Sequence, residues 1–465
     1  MEQLARVTGV GIAVRCRWAA FATLLLLTGM GAIGAAQDEV SAKPWEAEVR
    51  MRAAAIERRL IAWRRDIHQH PELGDQEKRT AKLVADHLRG LGLDVRTGVA
   101  RTGVVGVLKG GKPGRTVALR ADMDAVAVKE LTGLPFASTA TAQYKGAEVP
   151  VMHACGHDTH TAMLMAAAEV LAGMKSQLPG TVVFIFQPAE EGSSVVEPRS
   201  GENWGAKLIL KEGLFRELKP AAVFGLHVLP GRSGELFYRS GATMASSDEL
   251  NIRVIGKQGH GGMPWNTIDP ITTSALIISG LQTVVSRRAN LAVSPAVVTV
   301  GTIRGGTSPN VVPDTVDMVG TIRTYGEQTR QQVKSDIRTT AEKIAESAHA
   351  KAEVTITEMY ITTINNDQLA QRMRPLLERV SGRRVPVSPL QGASEDFAFY
   401  AQATPGLFVF LGITPHDQDP ATAAPNHSPN FYVDERALVV GVRAMSSMAL
   451  AFLSGPELEP TGSQP

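Results

Sequence analysis

Short apolar runs at 94–97, 103–108, 116–121, 181–186 and 222–226, set among segments of helical period at 46–69, 77–91 and 159–174, constrain the fold of this chain most strongly. Runs of this length are strand-sized, and strands alternating with helices indicate an α/β fold with a mostly parallel sheet. The helical segment 77–91 is followed by Gly92, a helix-stop residue. Three of the runs lead into ionisable groups. Asp122 and Asp124 follow Val117-Ala118-Leu119-Arg120-Ala121, Glu190 and Glu191 come a few residues after Phe186, and His227 follows Leu226. Open α/β sheets bind ligands beyond the carboxyl ends of their strands, so the repeated placement predicts that these groups converge on one site.

The run Met152-His153-Ala154-Cys155-Gly156-His157-Asp158-Thr159-His160 adds a thiol and several imidazoles to that set. Together with the adjacent carboxylates these are the donors of a transition-metal hydrolase: soft and borderline ligands hold the ion while a spare carboxylate handles protons. The chain has 2 cysteines, and the other one, Cys16, lies in a segment with the pattern of an export signal. Arg6, Arg15 and Arg17 precede or open an apolar stretch at 18–33, and Gly34-Ala35-Ala36 offers the small residues that a signal peptidase needs. The expectation is a signal peptide at 1–36 and an exported protein, periplasmic or secreted, with an uncleaved N-terminal anchor as the alternative. Cleavage leaves Cys155 as the single thiol in an oxidising compartment, where it is free, paired between molecules or metal-bound. No second apolar run is expected to approach the roughly 18 residues that span a bilayer, so no stable membrane association is expected of the cleaved chain.

Hydrophobic residues make up 44% of the chain and charged residues 20%, a globular balance. The roughly 430 residues left after cleavage suggest two or three domains. A net charge of +2 is too small to indicate nucleic acid or an anionic membrane as partner. From 247 to 360 the pattern changes to strand (248–256), helix (270–288), two strands (296–304 and 315–323), a long helix (327–350) and a strand (352–358). That is the β-α-β-β-α-β order of a ferredoxin-like module. Helix and strand signals resume after it. The expected organisation is a discontinuous catalytic α/β domain at 37–246 and 361–454, an inserted ferredoxin-like α+β lid or dimerisation domain at 247–360, and a disordered tail at 455–465.

The succession His68-Gln69-His70-Pro71-Glu72-Leu73, Arg120-Ala121-Asp122-Met123-Asp124-Ala125, Met152-His153-Ala154-Cys155-Gly156-His157-Asp158, Gln187-Pro188-Ala189-Glu190-Glu191-Gly192, Gly225-Leu226-His227, Gly259-His260-Gly261 and Asn426-His427-Ser428 resembles the M20 metallopeptidase family. Within it, the chain is most similar to the amidohydrolase branch that includes hippurate hydrolases and indoleacetyl-amino-acid hydrolases. The matching blocks run from about Trp63 to Leu453. The resemblance implies metal ligation by Cys155, His157, Glu191, His227 and His427, with Cys155 bridging two divalent ions where many relatives have an aspartate. It also implies Glu190 as general base; the opposite assignment, Glu190 as ligand and Glu191 as base, stays open. Manganese and zinc are joint candidates for the metal, with cobalt possible. His260 matches a family histidine that reaches the active site, often from the partner subunit. Asn310 is a weaker candidate for gripping the carbonyl or the substrate carboxylate, and a structural turn is the alternative at both positions. The family includes homodimers formed through the inserted domain and single-subunit enzymes.

Asp124 is expected to orient a ligand from behind, and Asp122 to do the same, because ligating imidazoles need carboxylate support. In the wider family a histidine ligand stands at the position of Asp122. His153 and His160 are expected in supporting or helix-surface roles, His68 and His70 as helix caps, Glu395 and Asp396 as a helix cap or pocket wall, and Met163 and Met165 in the core. The leading function is hydrolysis of N-acyl or N-aroyl amino acids. Water polarised by metal and deprotonated by Glu190 attacks the amide carbonyl, and Glu190 returns the proton to the leaving amine. A dipeptidase or carboxypeptidase acting on short peptides is the second possibility. The third is a catalytically silent metal-dependent binding protein, for which the spare carboxylate has no evident use.

Overall fold

The computed structural model describes residues 43–196 and 203–459, so the export signal expected at 1–36 lies outside the described residues. The larger of its sheets has 7 strands, in the order Asp94–Val99, Gly103–Lys109, Pro179–Gln187, Lys112–Asp122, Val223–Arg232, Gly406–Thr414 and Leu236–Phe237. The four strands from Pro179–Gln187 to Gly406–Thr414 in this order run parallel, and antiparallel pairings flank them on both sides. These strands read as continuous apolar runs because both faces of the sheet are covered. Val182, Phe184 and Phe186 enter one hydrophobic core, while the alternate residues Val183 and Ile185 enter another. Helices Glu57–Gln69, Lys78–Gly90, His157–Ala172 and Leu438–Ser454 close the first core; Gly205–Lys211 and Phe397–Ala403 close the second.

Three expectations change. The single helix expected at 46–69 is two helices, Pro44–Ala55 and Glu57–Gln69, broken at Ile56 with φ −102° and ψ 0°. The buried residues Val49, Ala53, Ile56, Leu60, Arg64 and Ile67 keep one period across the break, so the pattern alone does not reveal it. A second apolar segment of membrane-spanning length does exist: Glu435–Ser454, with mean hydropathy 1.7. Its apolarity has an internal cause, since 72% of that window is buried and the helix packs on His157–Ala172 and the sheet. The tail expected to be disordered from Gly455 is held as far as Glu459, whose N–H and C=O pair with the Gln368 side chain at 2.9 and 3.1 Å. Arg115 reinforces this by donating to the carbonyls of Phe452, Gly455 and Pro456, which a helix end leaves open.

A second sheet of 4 strands has the order Ala296–Arg304, Thr315–Thr324, Ser247–Ile255, Lys351–Tyr360, every neighbouring pair antiparallel. Helices Pro270–Thr283 and Glu327–Ser347 pack on it around a separate hydrophobic core. The first of them starts where its sequence dictates: Pro270 opens it, and the Asp269 side chain accepts from the N–H groups of Ile271 and Thr272. The chain enters this sheet at Ser247 and leaves it at Tyr360, after the first five long strands of the larger sheet and before Gly406–Thr414 completes it.

Candidate metal centre

Pro179–Gln187 runs into the turn Pro188-Ala189-Glu190-Glu191, in which Ala189 takes the left-handed φ of 52°. Such a conformation is strained for alanine, and the surroundings hold it in place. Ala189 N–H donates to Glu77 Oε1 at 2.8 Å, Glu191 N–H to Asp124 Oδ2 at 2.9 Å, and Asp396 N–H to Glu190 Oε1 at 3.4 Å. The turn gives the adjacent carboxylates partly different partners. Glu190 groups with Glu395 and Asp396, and Glu191 with Cys155 and His427, while the two together also group with His157.

Cys155 and His157 flank Gly156, whose φ of 89° starts the helix His157–Ala172. A Cβ at Gly156 would stand 2.3 Å from Val228 Cγ2, so the turn that brings both donors together requires glycine. His227, expected just past a strand, lies within Val223–Arg232, which continues beyond it. His427 arrives on a loop, in the left-handed region at φ 67°, and its N–H donates to the Ala154 carbonyl at 2.7 Å. Beside it, Asn426 Nδ2 bridges the carbonyls of Cys155 and Val228 at 3.0 and 3.1 Å. One amide thus fixes three segments of chain against each other.

The donor atoms form two sets that share Cys155: Cys155, His157 and His227, and Cys155, Glu191 and His427, all within 4.8 Å of one another in each set. Cys155 Sγ lies 3.4 Å from His227 Nε2, and His427 Nε2 lies 2.6 Å from Glu191 Oε1. Two imidazoles are oriented from behind. Asp124 Oδ1 is 3.3 Å from His157 Nδ1, and His227 Nδ1–H donates to the Val228 carbonyl at 2.8 Å. His157 Nε2 is then buried with no hydrogen-bond partner, the kind of orphaned lone pair that a metal satisfies. A thiol common to two sets, three imidazoles and a carboxylate fit a pair of divalent ions.

His160 falls near His157 and Asp122 but is no free ligand. Its Nδ1 contacts Asp122 Oδ1 at 2.6 Å and its Nε2 accepts the Val228 N–H at 2.9 Å, so both ring nitrogens are used. The fields are strong. Burial, then Glu395, Glu191 and Asp396, hold the Glu190 carboxyl well above the usual range. Burial opposes protonation of His157, but Asp122 and Cys155 outweigh it and push its pKa well up. Burial and then His160 hold His227 well below the ordinary histidine value. Hydrogen bonding to Cys155 and Glu191 raises His427 to about 10.

The family model for "Peptidase family M20/M25/M40" matches residues 118–451, more than half of the chain. The chain belongs to this family. The M20 chain is 40% identical over 400 residues to Thermostable carboxypeptidase 1 of Saccharolobus solfataricus, which spans 85% of this chain and 96% of that one. It is 37% identical over 401 residues to the N-acetylcysteine deacetylase of Bacillus subtilis, covering 86% and 98%. Its fold is similar to that of the Bacillus subtilis YXEP protein, a dinuclear metal binding peptidase from the M20 family, with TM-score 0.70 and 34% identity over 86% of this chain and 99% of that one. The protein is thus a metal-dependent amidohydrolase or peptidase.

Behind the M20 centre sits a cation that the sequence reading passed over. Arg120 is fully buried and donates to Gln187 Oε1 at 2.9 Å, Asp122 Oδ2 at 2.6 Å and Asp396 Oδ1 at 2.7 Å, with Glu395 Oε1 at 2.9 Å. Its signals were its place inside an otherwise apolar strand run and at the head of Arg120-Ala121-Asp122-Met123-Asp124-Ala125. Glu395 and Asp396 therefore anchor this network, and Asp396 Oδ2 also accepts the Ala206 N–H at 2.8 Å. Burial, opposed by Arg120 and aided by Asp122, lifts Glu395 to about 8. Arg120→Met is expected to lower stability by about 3–5 kcal/mol, because it strands buried carboxyl groups without their cation. Urea midpoints check this; a shift below about 1 kcal/mol would mean that those carboxyls are already neutral.

Other expected residues lie elsewhere. His70 caps its helix through Asp66 O at 2.8 Å, but His68 is buried between Asp158 Oδ2 at 2.9 Å and Glu130 Oε1 at 3.1 Å. His153 is buried rather than on a helix surface; neither ring nitrogen has a partner, and burial lowers it to about 3. His260 and Asn310 are exposed on the four-stranded domain and adjacent to each other, Gly261 N–H donating to the Asn310 carbonyl at 2.7 Å. Among the described residues the structure brings neither into the two donor sets.

Proposed function

We propose that the protein hydrolyses the amide bond of N-acyl or N-aroyl amino acids, with Cys155, His157, His227, Glu191 and His427 holding two divalent ions and Glu190 as general base. The observation that carries the reading is the single thiol shared by two donor sets, with a further carboxyl on the adjacent turn that belongs to neither of them. Bound there, the ions supply Lewis acidity, polarising the amide carbonyl and lowering the pKa of water. Glu190 accepts the proton of the attacking water and passes it to the leaving nitrogen. The burial and neighbouring carboxylates that raise its pKa make it a stronger acceptor and then a competent acid. Asp124 keeps His157 in the tautomer that presents Nε2. The resemblance to N-acetylcysteine deacetylase supports an N-acyl amino acid as substrate.

His260, exposed and outside the donor sets of this chain's own fold, suits a role delivered across a homodimer, where it would stabilise the oxyanion. Asn310 accompanies it as a substrate contact. Export, inferred from the N-terminal segment, would place the activity in the periplasm or outside the cell.

A second reading, a carboxypeptidase, is favoured by the 40% identity to Thermostable carboxypeptidase 1. Protein stripped with chelator and reloaded with manganese, zinc or cobalt is to be assayed on N-benzoylglycine, N-acetyl amino acids and dipeptides. The expected outcome is kcat/KM at least roughly tenfold higher for the N-acyl amino acids, about 1.4 kcal/mol of discrimination. Faster dipeptide cleavage would select the carboxypeptidase, and no turnover of any amide would reject hydrolysis.

A further inference from the structure

The four-stranded domain touches the centre at one point among the described residues that involves Glu190 itself. The Tyr360 hydroxyl donates to the Glu190 backbone carbonyl at 2.7 Å. Its proton direction is fixed, because a backbone carbonyl oxygen can only accept. Further bonds join the domain to the segment that follows: Arg323 Nη1 to Ser394 Oγ at 2.9 Å, Tyr325 OH to the Gln391 carbonyl at 3.0 Å, and Thr362 Oγ1 to the Thr324 carbonyl at 3.3 Å.

Tyr360 reaches Glu190 through a β-bulge. Asp248 faces Glu358, but Ser247 faces Tyr360, so Met359 is an extra residue on its strand. Side chains alternate faces, so one added residue turns Tyr360 to the opposite side from the one that regular pairing would give it. The bulge sits where the chain both enters and leaves the four-stranded sheet, at Ser247 and Tyr360. The carbonyl that Tyr360 grips belongs to the residue following Ala189, whose backbone is strained at φ 52°.

From this geometry we infer that Tyr360 is a positioning residue: it holds the Glu190 peptide in register with the four-stranded domain, so that alignment of the carboxyl depends on how that domain is seated. The inference rests on the reading of Glu190 as the base. Tyr360→Phe keeps the ring and removes only the hydroxyl. In the metal-loaded protein, kcat on the best amide substrate is expected to fall roughly tenfold or more, with KM within about twofold, because misalignment acts on the transition state. Metal content and Tm stay at wild-type values. In hydrogen–deuterium exchange, of both metal-free and loaded protein, the peptide containing Glu190 exchanges faster while the strand Pro179–Gln187 before it does not. Unchanged kcat, or unchanged exchange at Glu190, overturns the inference, and so does a general rise in exchange with a lower Tm, which marks a merely structural tyrosine. If the wild-type protein cleaves no amide, the reaction reading fails by itself, and the exchange arm still decides whether Tyr360 orders the turn.

Discussion

Glu190→Gln is expected to keep both metal ions and lose kcat by roughly 10³-fold, the scale of a deleted general base. The amide copies the shape of the carboxyl, and its oxygen still accepts the Asp396 N–H that Glu190 Oε1 accepts at 3.4 Å. It has no basic oxygen with which to take a proton from water. The five donor residues are untouched, since Glu190 belongs to neither set that shares Cys155. Metal analysis beside steady-state kinetics checks both halves of the statement. Glu191→Gln is the control, because that carboxylate lies against Cys155 and His427 and its loss should empty a site. If Glu190→Gln proves metal-poor while Glu191→Gln stays loaded, the two roles are exchanged.

Cys155→Ala should remove more than one ligand's worth of affinity. Each donor set contains Cys155, so the substitution reduces both at once, one to His157 and His227 and the other to Glu191 and His427. Two donors seldom retain a transition metal against buffer, so content should fall from about two equivalents to below about one, and turnover with it. The side chain is 8% exposed, and no backbone hydrogen bond depends on it, so the fold should persist. Cys155→Asp, which restores an anionic donor, is expected to recover part of the metal. Equilibrium dialysis of the three proteins decides the matter: an alanine variant that retains one ion at wild-type affinity would confine the thiol to a single set.

The sequence made some of this legible for definite reasons. Strand and helix periods are local, so the α/β sheet and the β-α-β-β-α-β order could be read from spacing. Pairing direction is not local, and the antiparallel strands flanking the parallel centre had no signal of their own. The final helix is legible from its period at about 435–453, but its membrane-length apolarity is masked because Arg443 and Ser446-Ser447 interrupt the apolar run. The candidate donors Cys155, His157, Glu190 and Glu191 stand out in short motifs, whereas His427 is singled out only by the family resemblance. The supports of these donors are less visible. Arg120 resembles any strand arginine until its three carboxylate partners, drawn from positions 122, 395 and 396, are seen around it. Tyr360 depends on a bulge, which no spacing announces. His260 and Asn310 carried a motif but sit on the surface of this chain.

The place of Gly406–Thr414 in the larger sheet bears on how the protein is made. This strand lies between Val223–Arg232 and Leu236–Phe237, and it is wholly buried. All four strands of the smaller sheet are synthesised before it, so that sheet has its complete set of partners while the larger one still has a gap in its interior. The ribosome must add the 173 residues from 233 to 405 between two strands that finally lie side by side. Until then the apolar faces of the incomplete sheet stay open, and the apolar helix that covers them emerges after that strand. Closure of the larger sheet is therefore a late event of biosynthesis, and truncation anywhere before Ser454 should leave a chain that a chaperone holds rather than an enzyme with a missing tail.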